Sequence, residues 1–142
     1  MRLIVLLLVR LSPLTVFFSS AILSDGSMAA LYFQRALILL DLKHFDMAMK
    51  NLDIAIQLDP TNAEYYCTRG RILSNFRDID GALRDLEQAV ALDPTVSRYF
   101  HWRGRLYREK EEMEKALDDF EKAVALSGDD IDFVRLRVPL LF

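Results

Sequence analysis

The stretch SRYFHWRGRLYRE, residues 97–109, sets Arg98, Arg105 and Arg108 close together with His101 and Trp102 between them. Guanidinium groups hold carboxylates through paired, charge-assisted hydrogen bonds that lysine cannot reproduce. Arginine beside tryptophan is also the composition found at binding hot spots. The chemistry on offer is therefore recognition of an acidic, partly apolar ligand, with no bond made or broken. The same arginines would also serve as an ordinary solvated helix face, their stems lying along apolar surface.

Groups that could do catalysis are missing or badly placed. His44 and His101 have no Cys or His companion at zinc-ligand spacing. There is no Gly-rich phosphate loop, HExxH helix or GxSxG turn. Cys67 is the single cysteine, so no intrachain disulfide can form. Without a His nearby in sequence it reads as a small buried or groove-lining thiol. The acidic run DDFEK at 118–122 reads as a solvated outer helix face. The expectation is a protein that is not an enzyme and uses no cofactor and no metal.

A net charge of −3 gives none of the basic footprint that nucleic acid requires. At 52% hydrophobic and 27% charged, the chain is neither disordered nor simply a membrane protein. Residues 1–24, MRLIVLLLVRLSPLTVFFSSAILS, stand apart as a hydrophobic leader. Arg2 in front and Ser19-Ser20-Ala21 behind give the layout of a secretory signal or anchor. Arg10 and Pro13 break the apolar run, and Leu3–Val9 alone is too short to span a bilayer. The leader is therefore either a targeting segment or an extension without targeting value, and membrane contact is expected only through it. The low cysteine count fits a reducing compartment. A cytoplasmic location is favoured, against a secretory or membrane-anchored one set by the leader.

The elements that would position the arginines are visible as a repeat. AIQLDP at 55–60 returns as AVALDP at 89–94 and AVALSG at 123–128, each 34 residues on. Small residues recur in register as Ala36/Gly70/Gly104, Ala48/Ala82/Ala116 and Ala55/Ala89/Ala123. Larger ones recur as Tyr32/Tyr66/Phe100, Leu39/Leu73/Tyr107 and Leu52/Leu86/Phe120. Ala116, Phe120 and Ala123 fall at i, i+4, i+7, one face of an α-helix, and Phe100, Gly104 and Tyr107 do the same. Each copy is thus two helices, roughly 29–41 and 45–58 in the first, with a short turn between. Matching small residues let the two axes approach closely, toward the short end of the ~8–10 Å packing range. Asp59-Pro60 and Asp93-Pro94 end the second helix, and Ser127-Gly128 does so in the third copy. Arg69 with Asp85, and Arg103 with Asp119, recur at one spacing and predict an ion pair closing each hairpin, whereas the first copy has Arg35 and Asn51.

A 34-residue helix–turn–helix unit with these aromatic, small, Ala and Pro positions resembles the tetratricopeptide repeat (TPR). The resemblance covers residues 29–128 as repeats 29–62, 63–96 and 97–130, within a repeat region of 25–128. Lys43, Arg77 and Glu111 stand where glycine is common in the turn, and Ala36 replaces a usual glycine. The resemblance implies an all-α fold, an α-solenoid of stacked antiparallel helix hairpins winding as a right-handed superhelix. First helices would line an inner groove, and each hairpin would share its apolar face with the next. Groove positions so implied are Phe33, Leu37 and Leu40, then Cys67, Thr68, Arg71 and Asn75, then Arg98, His101, Trp102, Arg105 and Arg108. The peptide-binding set expected among them is Arg71, Arg98, His101, Trp102, Arg105 and Arg108.

Some members of that family clamp a chaperone's C-terminal carboxylate with Lys, Asn, Asn, Lys and Arg. The matching positions here are Phe33, Leu37, Thr68, Arg98 and Trp102, and only Arg98 keeps the charge. No chaperone-tail binding of that kind is expected.

Residues 129–142 read as a short, partial capping helix with an apolar tail, 129–138 being a fragment of a fourth repeat, in which Ile131, Val134 and Val138 could cover the third hairpin before Pro139 ends it. The function expected is a protein–protein interaction scaffold that binds a peptide segment along its groove. The alternatives are a membrane- or lumen-associated structural subunit placed by residues 1–24, and a shortened form of a longer repeat protein with little function of its own.

Overall fold

The computed structural model describes residues 25–128. These form six α-helices: α1 (Asp25–Asp41), α2 (Phe45–Leu58), α3 (Ala63–Asn75), α4 (Ile79–Leu92), α5 (Ser97–Glu109) and α6 (Met113–Ser127). Among the described residues there is no strand. Helices pack as the antiparallel pairs α1–α2, α3–α4 and α5–α6, and each second helix then meets the first helix of the next pair. The expected helix bounds hold in the first hairpin except at one end: α1 begins at Asp25 rather than near Ala29. The leader and the capping segment lie outside the described residues.

The turns inside the hairpins share one geometry. His44 N–H donates to Leu39 O at 2.8 Å and Lys43 N–H to Leu40 O at 2.9 Å. The same nested bonds join Asp78 and Arg77 to Leu73 and Ser74, and Glu112 and Glu111 to Tyr107 and Arg108. This is a Schellman ending, which needs a left-handed residue. Lys43, Arg77 and Glu111 supply it with φ of 61°, 65° and 62°. A Cβ there costs ~1–2 kcal/mol relative to a helical conformation, so glycine's absence weakens each turn without undoing it.

The turns between hairpins are built differently. Asp59 Oδ1 accepts from Thr61 N at 3.1 Å and Thr61 Oγ1 at 2.6 Å, and Asp93 with Thr95 repeats both distances. Asn62 Oδ1 then caps α3 by accepting from Glu64 N at 3.0 Å. Asp78 Oδ1 caps α4 from Gly81 N at 2.9 Å.

Packing follows the recurring stripe. Ala48, Ala82, Ala116, Ala55, Ala89 and Ala123 are fully buried, with Leu52, Leu86 and Phe120 beside them. Each of those three larger side chains contributes ~1.5–3 kcal/mol by leaving water. Gly104 marks the closest approach of α5 and α6: a Cβ there would lie 3.0 Å from the Phe120 ring and 3.2 Å from Asp119 Cβ. The core continues from hairpin to hairpin, since Tyr65 packs with Ala29 and Ala55, and Ile72 with Ala48 and Leu52.

The expected ion pairs form. Arg69 Nε and Nη2 donate to Asp85 at 2.8 Å each, and Arg103 donates to Asp119 in the same way at 2.8 Å each. These bonds raise both guanidinium pKa values above their ordinary level. Asp119 is buried, which corrects the reading of residues 118–122 as wholly solvated; Asp118, Glu121 and Lys122 do remain exposed.

Candidate functional site

The first helices carry a depression of about 380 Å³ whose lining includes Leu40 and Asp41 of α1, Arg71, Ile72 and Asn75 of α3, and Trp102 of α5. A second of about 290 Å³ adjoins it, lined by Ser74, Asn75, Arg77, Trp102, Arg105 and Glu109. Trp102 and Asn75 belong to both. Helical spacing puts Arg98, Trp102 and Arg105 on one stripe of α5 at i, i+4, i+7, and His101, Arg105 and Arg108 on the adjacent one.

The structure brings three of the expected residues together. The Arg71 guanidinium lies 4.8 Å from the Trp102 ring centroid and that of Arg105 lies 4.6 Å from it. Arg71 and Arg105 hold the same repeat position, 34 residues apart, which is why neighbouring helices aim them at one indole. Cation–π contact holds a guanidinium plane in place without consuming its N–H donors. Among the described residues, neither makes a hydrogen bond or ion pair.

The others are placed differently. Arg98 is ion-paired to Glu64, which also accepts from the Tyr99 hydroxyl at 3.1 Å, and it lies over the Tyr99 ring. Arg98 thus ties α5 to α3. His101 is half-buried against Trp102 and Phe120, with ring centroids 5.5 and 6.0 Å away. Burial, then the charges of Arg105 and Arg108, push its pKa down to about 4, so the ring is neutral at pH 7. Arg108 is partly exposed beside it.

Cys67 and Thr68 are 1% and 2% exposed, so neither offers the groove a free surface, although Thr68 forms part of its floor. Burial pushes the Cys67 thiol up to about 12, which leaves it without thiolate character at neutral pH. Asp41 and Phe45, at the end of the first hairpin, line the depression and were not singled out in sequence. Phe45 stacks edge-on with Phe76 at 5.6 Å, and Phe76 is largely exposed. Among the described residues no cluster of His, Cys, Asp or Glu could hold a metal, and no helix is long and apolar enough to cross a membrane.

Comparison with solved structures gives the same architecture. The first TPR of Spaghetti (RPAP3) bound to the HSP90 peptide SRMEEVD superposes with a TM-score of 0.77 at 17% identity, covering 81% of this chain and 91% of that one. The Arabidopsis OM64 TPR domain matches with a TM-score of 0.77 at 20% identity, over 82% and 96% of the two chains. MamA 41-end from Desulfovibrio magneticus RS-1 gives 0.71 at 24% identity, over 79% of this chain and 63% of that one. At such identities the likeness is one of fold. The search of curated proteins finds no match. Family models described as tetratricopeptide repeat match residues 29–62 and 67–131. Domains of this kind are generally protein–protein interaction modules and typically non-catalytic. By its sequence repeats, its helix hairpins and these matches, the chain belongs to the tetratricopeptide repeat family.

Proposed function

We propose that this chain is an interaction scaffold that holds an acidic, partly apolar peptide segment on the surface of its first helices. The observation that supports this reading is the pair of guanidinium groups of Arg71 and Arg105 resting on Trp102 with their donors uncommitted. Arg69, Arg98 and Arg103 are each bound to a carboxylate of the chain itself. Arginines held by an aromatic face rather than by an acid are arranged to receive a carboxylate from elsewhere. Leu40 and Phe45 beside them offer apolar contact to the flanking side chains. Arg108 and His101 extend the site along α5, and Arg98 marks its far end.

The same reading excludes a chaperone tail of the type bound by Spaghetti. Of the five clamp positions, Phe33 and Leu37 are apolar, Thr68 is buried, Trp102 is an indole, and Arg98 is occupied by Glu64. The peptide SRMEEVD should therefore bind no better with a free C-terminal carboxylate than with an amidated one.

Trp102 is the only tryptophan, so its emission reports this site directly. A Glu- and Leu-rich synthetic peptide should shift Trp102 emission saturably. The affinity should fall as salt rises and drop at least tenfold in Arg71→Ala and Arg105→Ala. Equal binding of a Lys-rich peptide, or binding indifferent to both substitutions, would overturn the proposal.

A further inference from the structure

The two guanidinium groups that rest on Trp102 do not share a depression. Arg71 lines the one of about 380 Å³ and Arg105 the one of about 290 Å³. Both are held against one indole, at 4.8 and 4.6 Å from its centroid, so the gap between them is at most those two lengths end to end. Asn75 is exposed and lines both depressions. Among the described residues its side-chain amide makes no hydrogen bond. Each depression also carries one acid, Asp41 in the first and Glu109 in the second. Asp41, Asn75 and Glu109 hold one repeat position, 34 residues apart, as the last residues of α1, α3 and α5.

We infer that the peptide held on this surface is extended and presents two acidic side chains two residues apart, one to Arg71 and one to Arg105, with Asn75 holding the backbone between them. The inference rests on the function proposed above and gives its ligand a spacing. Two cations in separate depressions call for two anions, since one carboxylate fills one guanidinium fork. In an extended chain residues i and i+2 share a face ~6.6 Å apart, whereas neighbours point to opposite faces. That step falls inside the gap that the shared indole allows. A helical ligand could also space two acids, but its backbone N–H and C=O groups are paired within the helix and would leave Asn75 nothing to hold. An Asn side chain carries both a carbonyl and an NH2, so it can accept from and donate to an extended backbone. Asp41 and Glu109 limit the acidic stretch, because a further acid on their side would meet a like charge.

Short serine-based peptides, read by Trp102 emission of the full chain, test the spacing. A peptide carrying Glu-Leu-Glu should bind about tenfold more tightly than one with adjacent Glu-Glu, one with Glu-Leu-Leu-Leu-Glu, or one with a single Glu. This series uses the parent chain, so it decides the spacing without any variant. Arg71→Ala, and separately Arg105→Ala, should then erase the advantage and leave the Glu-Leu-Glu and single-Glu peptides equal. Asn75→Ala should weaken the Glu-Leu-Glu peptide about fivefold. A single Glu that binds as tightly as Glu-Leu-Glu, with both arginines still necessary, would overturn the two-acid spacing and leave the acidic-peptide reading standing. Tighter binding of the Glu-Leu-Leu-Leu-Glu peptide would equally overturn it, in favour of a helical ligand. If none of the peptides binds, the acidic-peptide reading falls and this inference with it.

Discussion

Arg103 closes the third hairpin on Asp119 by two hydrogen bonds of 2.8 Å, and the side chains are only 16% and 3% exposed. Arg69 makes the same pair of bonds to Asp85, yet it has a second partner, Asp53 at 2.9 Å. This asymmetry sets different costs. Asp119→Ala strands a mostly buried guanidinium and should destabilise by ~2–3 kcal/mol, since breaking one half of a buried pair leaves a charge uncompensated. Asp85→Ala leaves Arg69 on Asp53 and should cost about half as much. Urea unfolding of the two variants checks the order, and an equal loss would mean that Asp53 is not a substitute.

The left-handed residues Lys43, Arg77 and Glu111 invite the opposite experiment. Each has φ near 60° and each end of its turn is already bonded. Glycine removes the Cβ strain but adds freedom to the unfolded chain, so each substitution should stabilise by ~0.5–1 kcal/mol. Glu111→Gly is the cleanest, because Arg77 also lies 3.7 Å from Glu109. Neighbouring turns touch through Phe45–Phe76 and Arg77–Glu109, so the triple variant should depart from the sum of the single ones. Thermal unfolding of the triple variant should show a higher midpoint than any single one.

The repeat was legible because packing imposes small residues at fixed steps, and Ala48, Ala82 and Ala116 cannot be anything large. The hairpin pairs were legible because Arg and Asp recur sixteen residues apart, and Asn51, which breaks the pattern, bonds its own helix at Met47 O. Burial of Thr68 was not legible, and that of Cys67 was only one of two readings, since core and groove positions adjoin on a first helix and differ by a fraction of a turn. The capture of Arg98 by Glu64 left a signal that went unused. The two occupy the same position in consecutive repeats, 34 apart, so opposite charges there face each other across the stack. The contribution of Asp41 and Phe45 comes from a hairpin end, where no periodicity points into the groove.

Charge alone should not satisfy the proposed site. Arg105→Lys keeps the positive charge but loses the plane that lies on Trp102, and with it the paired donors. Affinity for a Glu- and Leu-rich peptide should fall about fivefold, on the order of 1 kcal/mol. Arg98→Ala, whose guanidinium is already engaged by Glu64, should change affinity by less than twofold. Trp102 emission titrations on both variants decide this, and a larger loss at Arg98 would move the site toward the start of α5.

His101 makes stability pH-dependent in a direction that can be worked out. Its pKa is about 4 in the folded chain, set by burial and then by Arg105 and Arg108, against ~6.5 when unfolded. Between those values the unfolded chain binds more protons, so stability rises with pH across this window. The contribution is fully present above pH 6.5, is lost as pH falls toward 4, and changes no further below that. His101→Gln cannot take up the proton, so its unfolding free energy should change less than the parent's between pH 7 and pH 4.5. The gap in slope should be ~1–3 kcal/mol over that interval. Urea titrations of parent and variant at both pH values measure it, and parallel losses would place the acid sensitivity in the carboxylates instead.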